Sequence, residues 1–490
     1  MIVKNSNQYI IILLLIIIAV LSNPMCTLGS DNVKIEEIVG KVGVYSVPGE
    51  YYIYVPVRVS TGSSNEYRIA TIRFDKSSRE HTQGFFTALP GEVVSNVDVT
   101  SKYLYVVVNI EDVDTLCVYD RTDSAEEPVA HIALMGITGP YTISSYSVNN
   151  VDIVVVTGVD GVWVLVFMNN RLNKKFDSRI VHNTPTYILN YNGRKYLLYQ
   201  KENEVTGKLD LYALDLNGIE TNAWTANVEM LFPLNHEIVG YDLIAYENVL
   251  VVVSRLSLYY YDLSSSSLIK SLNLPEGDFA TTRPIHEQVV NPYSYTVFFG
   301  SKNGYLYYVE SHDINKLASV RVSDARITFI DIIEFSDEKD YYLCIINRNG
   351  EMLVYNRLLV TANDTQFKGR FVLNTMNIYG TESFPESREA IISTDKQVYL
   401  LYKDKEKAQP QIDPLLNIGG VGNVGPTEST AAPVVGISPI TLVLIVVVVG
   451  LVIAGLYFFF RIQMKKRAKE EVETEESEEK EFEELKELEI

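Results

Sequence analysis

The stretch from Asp152 to Met168 reads DIVVVTGVDGVWVLVFM. Ile153–Val156 is apolar at consecutive positions. A strand covered on both faces reads that way, whereas a half-exposed strand alternates. Val159-Asp160-Gly161 then supplies the residue types that tolerate a tight hairpin turn, and Val162–Met168 returns as a second apolar strand rich in aromatics. The unit is a β-hairpin buried between two other layers.

The same hairpin recurs along the chain. Tyr51–Val59 with Tyr67–Phe74 opens the series, and Tyr103–Asn109 with Thr115–Asp120 follows. After Asp152–Met168 come Lys195–Gln200 with Lys208–Asp215, and Asn248–Ser254 with Leu256–Asp262. Tyr295–Gly300 with Tyr305–Glu310, Tyr341–Asn347 with Glu351–Asn356, and Glu389–Thr394 with Gln397–Tyr402 complete it. Several second strands end in Asp or Asn. Two further turns, Lys302-Asn303-Gly304 and Arg348-Asn349-Gly350, carry glycine. Starts lie 43 to 53 residues apart, which suits four-stranded propeller blades and is too long for a leucine-rich repeat or a β-helix coil. Weaker strands follow the hairpins, as at Val129–Leu134, Leu268–Leu274 and Leu317–Val322. The expectation is an all-β, eight-bladed propeller; seven blades plus an extra hairpin is the alternative count. With the eighth hairpin running straight into a spacer, Val33–Val39 is expected to fill the missing outer strand and close the ring.

Outward from the repeats, 490 residues carry 42 Lys+Arg against 62 Asp+Glu, a net charge of −20. That balance argues against nucleic acid as a partner, because such footprints are basic. Three cysteines exclude a disulfide scaffold or a cysteine-rich zinc module. Ile10–Leu21 is uncharged and apolar but spans only about 18 Å as a helix, too short for a bilayer. Pro24 and small residues follow, so residues 1–30 read as a signal peptide, with an uncleaved anchor as the alternative. Cys26 lacks a lipobox context. Ile440–Phe460 is uncharged over a length of roughly 31 Å, enough to cross. Tyr457 lies at its far end, and Arg461, Lys465, Lys466, Arg467 and Lys469 follow, marking the cytoplasmic side. The expected layout is a propeller ectodomain over 31–408, a Pro/Gly-rich stalk over 409–438, a single transmembrane helix over 439–460 and an acidic cytoplasmic tail over 461–490. In the tail, Phe482, Leu485 and Leu488 recur at helical spacing, as a solvated helix or as a docking helix for a basic cytosolic partner.

The fourth repeat, Leu211-Tyr212-Ala213-Leu214-Asp215-Leu216-Asn217-Gly218 with Trp224 beyond it, resembles the quinoprotein-like (PQQ-like) propeller repeat. Leu258–Asp262 and Leu116–Asp120 echo its strand portion. The resemblance implies an eight-bladed ring in which the tryptophan docks between blades. More loosely, the chain is similar to membrane-anchored propellers of archaeal cell surfaces. No residue set for a quinone and its metal accompanies the repeat, so no cofactor and no enzymatic activity is carried over.

Cys117 and Cys344 fall in strands of separate blades and are expected as buried free thiols. Asn363-Asp364-Thr365 is a glycosylation sequon. His182, His236 and His286 are each expected in an inter-blade loop near a proline, with Glu237, Arg283 and Glu287 beside them. They form a candidate ligand rim for a metal or an anion; solvated loop histidines are the bland alternative. The expected function is a surface interaction or scaffold module recognising a protein or glycan. An extracytoplasmic quinoprotein-like enzyme and a single-pass receptor signalling through its tail are the alternatives.

Overall fold

A computed structural model describes residues 33–417, apart from 62–63, 123–126, 235, 291–292, 335–340, 357–368, 374, 376, 385–388 and 404–409. The expected signal peptide, transmembrane helix and tail, most of the stalk, Cys26 and Asn363 lie outside the described residues. Among the described residues no helix is long and apolar enough to cross a membrane.

The chain forms eight antiparallel sheets, each built from consecutive strands. Blade 3 shows the pattern: Thr142–Val148 lies innermost, then Val151–Thr157, Gly161–Met168 and the outer Arg171–Arg179. All eight expected hairpins form, and they are the two central strands of their blades. The sequence pattern suggests that their first strands lie innermost. The structure instead sets one further strand between each hairpin and the channel. Val151–Thr157 is buried at every position, because it has a strand on either side and a blade on either face.

The hairpin turns do what their residues allow. Gly304 and Gly350 take φ of +79° and +77°, open to glycine without strain. At the other end of the blade the recurrent Asp caps the turn into the outer strand. The carboxylates of Asp75, Asp120, Asp215 and Asp262 accept the N–H two residues on, at 2.7, 2.8, 2.9 and 2.7 Å. This explains why those third strands end in that residue.

The core is a ring of eight apolar clusters, one between each pair of neighbouring blades. One joins Ile38, Tyr51 and Ile53 of blade 1 to Ile391, Leu400 and Leu416 of blade 8. The count is therefore eight. Trp224 packs on the cluster between blades 3 and 4, with Nε1 donating to the Asp215 carbonyl at 3.2 Å.

Closure departs from expectation. Lys34–Ile38 pairs with Val57–Ser60 in blade 1 and forms half of that blade's inner strand. Blade 8 completes itself with Pro410–Asn417, paired to Gln397–Lys403. The propeller thus extends to Asn417, beyond the expected boundary at 408. Pro410 and Pro414 suggested a spacer, but an outer edge strand can accommodate proline, and Pro414 sits at a bulge opposite Tyr399. Face-to-face packing then closes the ring. Arg79 bridges Glu389 at 3.2 Å and lies 3.7 Å over the Tyr402 ring, and Gln83 Nε2 donates to the Leu415 carbonyl at 2.7 Å.

Candidate functional site at the channel mouth

Two inner strands are broken. Blade 1 runs as Lys34–Ile38 and Gly43–Val47, and blade 2 as Glu92–Val93 and Asp98–Val99. The excursions between, residues 39–42 and 94–97, press together. A Cβ on Gly40 would lie 2.6 Å from the Ser95 carbonyl oxygen, so glycine is required for this approach. Val97 N–H donates to Lys41 O at 3.0 Å, and Tyr141 N–H to Val94 O at 2.9 Å. Asn96 spans to blade 3, accepting Ile143 N–H at 2.6 Å and donating to Ile143 O at 3.0 Å. These bonds fix three successive blades along their inner strands.

The excursions wall a cavity of about 630 Å³, completed by Asp114, Thr138–Thr142 and Tyr379. Its apolar faces come from Val39, Val93, Val94, Pro140 and Tyr141. Its polar groups are held in place. Tyr379 OH donates to Ile38 O at 3.2 Å, Tyr141 OH to Asp114 Oδ2 at 2.8 Å, and Thr138 N–H to Asp160 Oδ1 at 2.8 Å. A concave, mainly apolar site with a few fixed polar groups on rigid strands is the usual form of a binding pocket.

Charged and polar side chains on and beside the inner strands pair across blade interfaces. Lys41 Nζ lies 3.3 Å from Glu382, Thr381 Oγ1 donates to Asp331 at 2.7 Å, and His286 Nδ1 lies 2.7 Å from Asp242. Asp242, Asp331 and Glu382 occupy one register position, four residues after Ile238, Ile327 and Ile378, each of which precedes a bulge. Burial raises the Asp331 carboxyl, against the pull of Arg283. Asp98 accepts both the N–H and, at 2.6 Å, the hydroxyl of Ser145 from blade 3. Burial nevertheless raises its carboxyl to about 6, the Ser145 bonds and Lys41 countering and Glu382 adding.

For Asp98 the folded value exceeds the unfolded one, so the folded state holds the proton longer. Its stability contribution is then lost as pH rises from about 4 to about 6. Asp98→Asn keeps an acceptor for Ser145 N–H. In urea titrations the variant should exceed the parent by on the order of 2 kcal/mol at pH 7.5, and the difference should vanish by pH 4. A gap independent of pH would contradict this account.

The expected ligand rim is only partly assembled. Arg283 and His286 share the channel wall, Arg283 reaching Asp331 at 3.8 Å. His286 lies on an inner strand, Ile285–Val290, and not in a loop. Its Nδ1 is engaged by Asp242, and Glu287 beside it is buried. His182 and Glu237 are exposed in inter-blade loops; His236 is half-buried, its carbonyl accepting Gln200 Nε2 at 3.1 Å. Among the described residues, no three His, Cys, Asp or Glu side chains are placed to hold a metal. The cavity itself is not evident from the sequence. Its one visible signal is the interruption of strand pattern at Val39-Gly40-Lys41 and at Ser95-Asn96. Cys117 and Cys344 are buried free thiols, and burial raises Cys117 to about 12.

No protein-family model and no curated protein matches the chain. Among solved structures it is similar to Sqt1 of Saccharomyces cerevisiae, with a TM-score of 0.48 at 12% identity over 67% of this chain and 86% of that one. It is also similar to the Dos1 propeller, with a TM-score of 0.52 at 10% identity over 79% of this chain and 94% of that one. The likeness to Dos1 shows the fold, a β-propeller.

Proposed function

We propose that this chain is a membrane-anchored, extracytoplasmic propeller that acts as a protein-interaction module at the cell surface. Its recognition site is the cavity between blades 8, 1, 2 and 3. The observation that carries the reading is that cavity: apolar, concave and framed by strands locked to one another. The charged and polar residues on and beside the inner strands support it, because they pair across interfaces and so stiffen the frame. The signal-like Ile10–Leu21 and the apolar Ile440–Phe460 with its basic flank support the location. Placement of the repeats in the PQQ-like superfamily draws support from blade 4, where Trp224 packs between blades.

The full chain, solubilised in detergent, should capture a defined protein from membrane and envelope extract. Thr138 is exposed at the cavity and Ser265 is exposed at the opposite ends of the strands. Thr138→Arg should reduce capture at least tenfold, and Ser265→Arg should leave it unchanged. Capture that is lost equally in both, or in neither, would remove the cavity as the recognition site.

A further inference from the structure

Residues 161–201 carry seven Lys and Arg against one acid, Asp177, in a chain whose net charge is −20. The surplus gathers where blades 3 and 4 meet. The outer strand of blade 3, Arg171–Arg179, reads RLNKKFDSR and holds four cations, whereas no other outer strand holds more than one. Short runs rich in Lys and Arg are the sequence form of a polyanion site.

The strand ends sort these groups. Arg171 follows the turn Asn169-Asn170, and Arg194 with Lys195 follows the turn Asn192-Gly193 of blade 4. Both turns lie at the end of their blades away from the cavity, whose Thr138 bonds to Val159 in the opposite turn of blade 3. Two cations cross the junction. Lys175 Nζ donates to Thr221 O of blade 4 at 3.2 Å, and Lys195 Nζ lies 4.5 Å from the Tyr146 ring centroid of blade 3. Neither contact cancels the charge. Arg171 is exposed and in no ion pair among the described residues, and Arg194 reaches Asp215 only at 3.9 Å. Lys174 turns the other way, to Asp177 at 2.6 Å.

Neutral amides stand between the cations. Asn149, Asn150, Asn169, Asn170 and Asn192 are exposed in tight turns at φ of +50° to +62°, which asparagine tolerates. Asn149 donates to Glu220 at 3.2 Å, and the other four side chains make no hydrogen bond among the described residues. Lys175 is the extra residue of a bulge, which closes this edge to an added strand. In these turns Met168 is the one exposed large apolar side chain, so the edge lacks the apolar centre of a protein interface. A partner is met here through cations and amides.

We propose that this edge binds an acidic polysaccharide, with its carboxylate or sulfate groups on Arg171, Lys175, Arg194 and Lys195 and its hydroxyls on the turn amides. The cavity lies at the other end of these strands, so either site can fail alone.

The test measures binding of heparin to the full chain in detergent at about 0.15 M salt. Arg171→Glu with Arg194→Glu should weaken binding about tenfold or more. Arg179→Glu with Lys208→Glu makes the same change in net charge at the other end of these blades, and should leave affinity within about twofold. Arg171→Lys with Arg194→Lys keeps the charge and should retain most of the affinity. Equal urea midpoints check folding; should the reversed pair unfold, Arg171→Ser with Arg194→Ser replaces it, with a loss of about threefold. Absence of heparin binding, equal loss in the two reversed pairs, or equal affinity for polyglutamate or an oligothymidylate each overturns the proposal.

Discussion

A chain ending at Ala408 is expected to be far less stable than one ending at Thr427, although the sequence pattern places the propeller boundary there. Truncation at 408 removes Pro410–Asn417 and with it Leu415 and Leu416, which are 2% and 1% exposed in the cluster joining blades 8 and 1. Losing a buried leucine side chain costs about 2–5 kcal/mol, so the two together amount to roughly 4–10 kcal/mol. That is comparable with the whole stability of many domains. The loss also takes the acceptor of Gln83 Nε2 and bares the edge of Gln397–Lys403, a template for association. Urea titration followed by tyrosine fluorescence should show a midpoint shifted down by more than 1 M, with aggregation setting in at lower temperature. Leu415→Ala and Leu416→Ala in the longer chain should each reproduce part of the loss. Equal midpoints for the two lengths would mean that blade 8 closes the ring without its outer strand.

That boundary marks where sequence reasoning stopped being sufficient. The hairpins were legible because both of their strands are buried on both faces. Burial of that kind produces the consecutive apolar runs Ile153–Val156 and Val249–Val253. Outer and inner strands pack on fewer neighbours and carry less signal. Tyr187–Tyr191 is five residues long and nowhere fully buried. Glu92–Val93 and Asp98–Val99 are two residues each. A strand this short has no period to detect, and these are the strands that build the cavity. Pro410–Asn417 misled for a different reason. Proline and polar residues are the signature of a spacer, and they are equally acceptable on an edge whose N–H groups need no partner. The histidines show the limit for sites. Chain position could bring His286 to the channel wall, but its bond to Asp242 joins two separate blades, and the strand that carries Asp242 is shifted in register between Ile238 and Gly240.

Arg121 sets the second large effect, and nothing in its sequence context announces it. It follows the turn aspartate Asp120 and would be taken for a solvated loop residue, yet it is 1% exposed between blades 1 and 2. Its Nε donates to Tyr54 OH at 3.0 Å, and one terminal nitrogen donates to the carbonyls of Thr100 and Ser101 at 2.6 and 2.9 Å. The guanidinium carbon lies 4.0 Å from the Tyr45 ring centroid and 5.1 Å from that of Tyr54. A buried cation is costly unless its donors are met. Here carbonyl dipoles and ring faces meet them, and the planar fork is what lets one group reach both blades. Arg121→Ala leaves a cavity and two carbonyls without their donor, and should cost about 3–5 kcal/mol. Arg121→Lys keeps the charge but offers one head for acceptors on opposite sides, and should recover less than half of that. Arg121→Met restores volume without charge and separates the contributions: stability near the parent would assign the site's worth to packing, and stability near Ala would assign it to the hydrogen bonds. Urea titrations of the three variants decide this, and an Ala variant within about 1 kcal/mol of the parent would show that Arg121 does not hold these blades together.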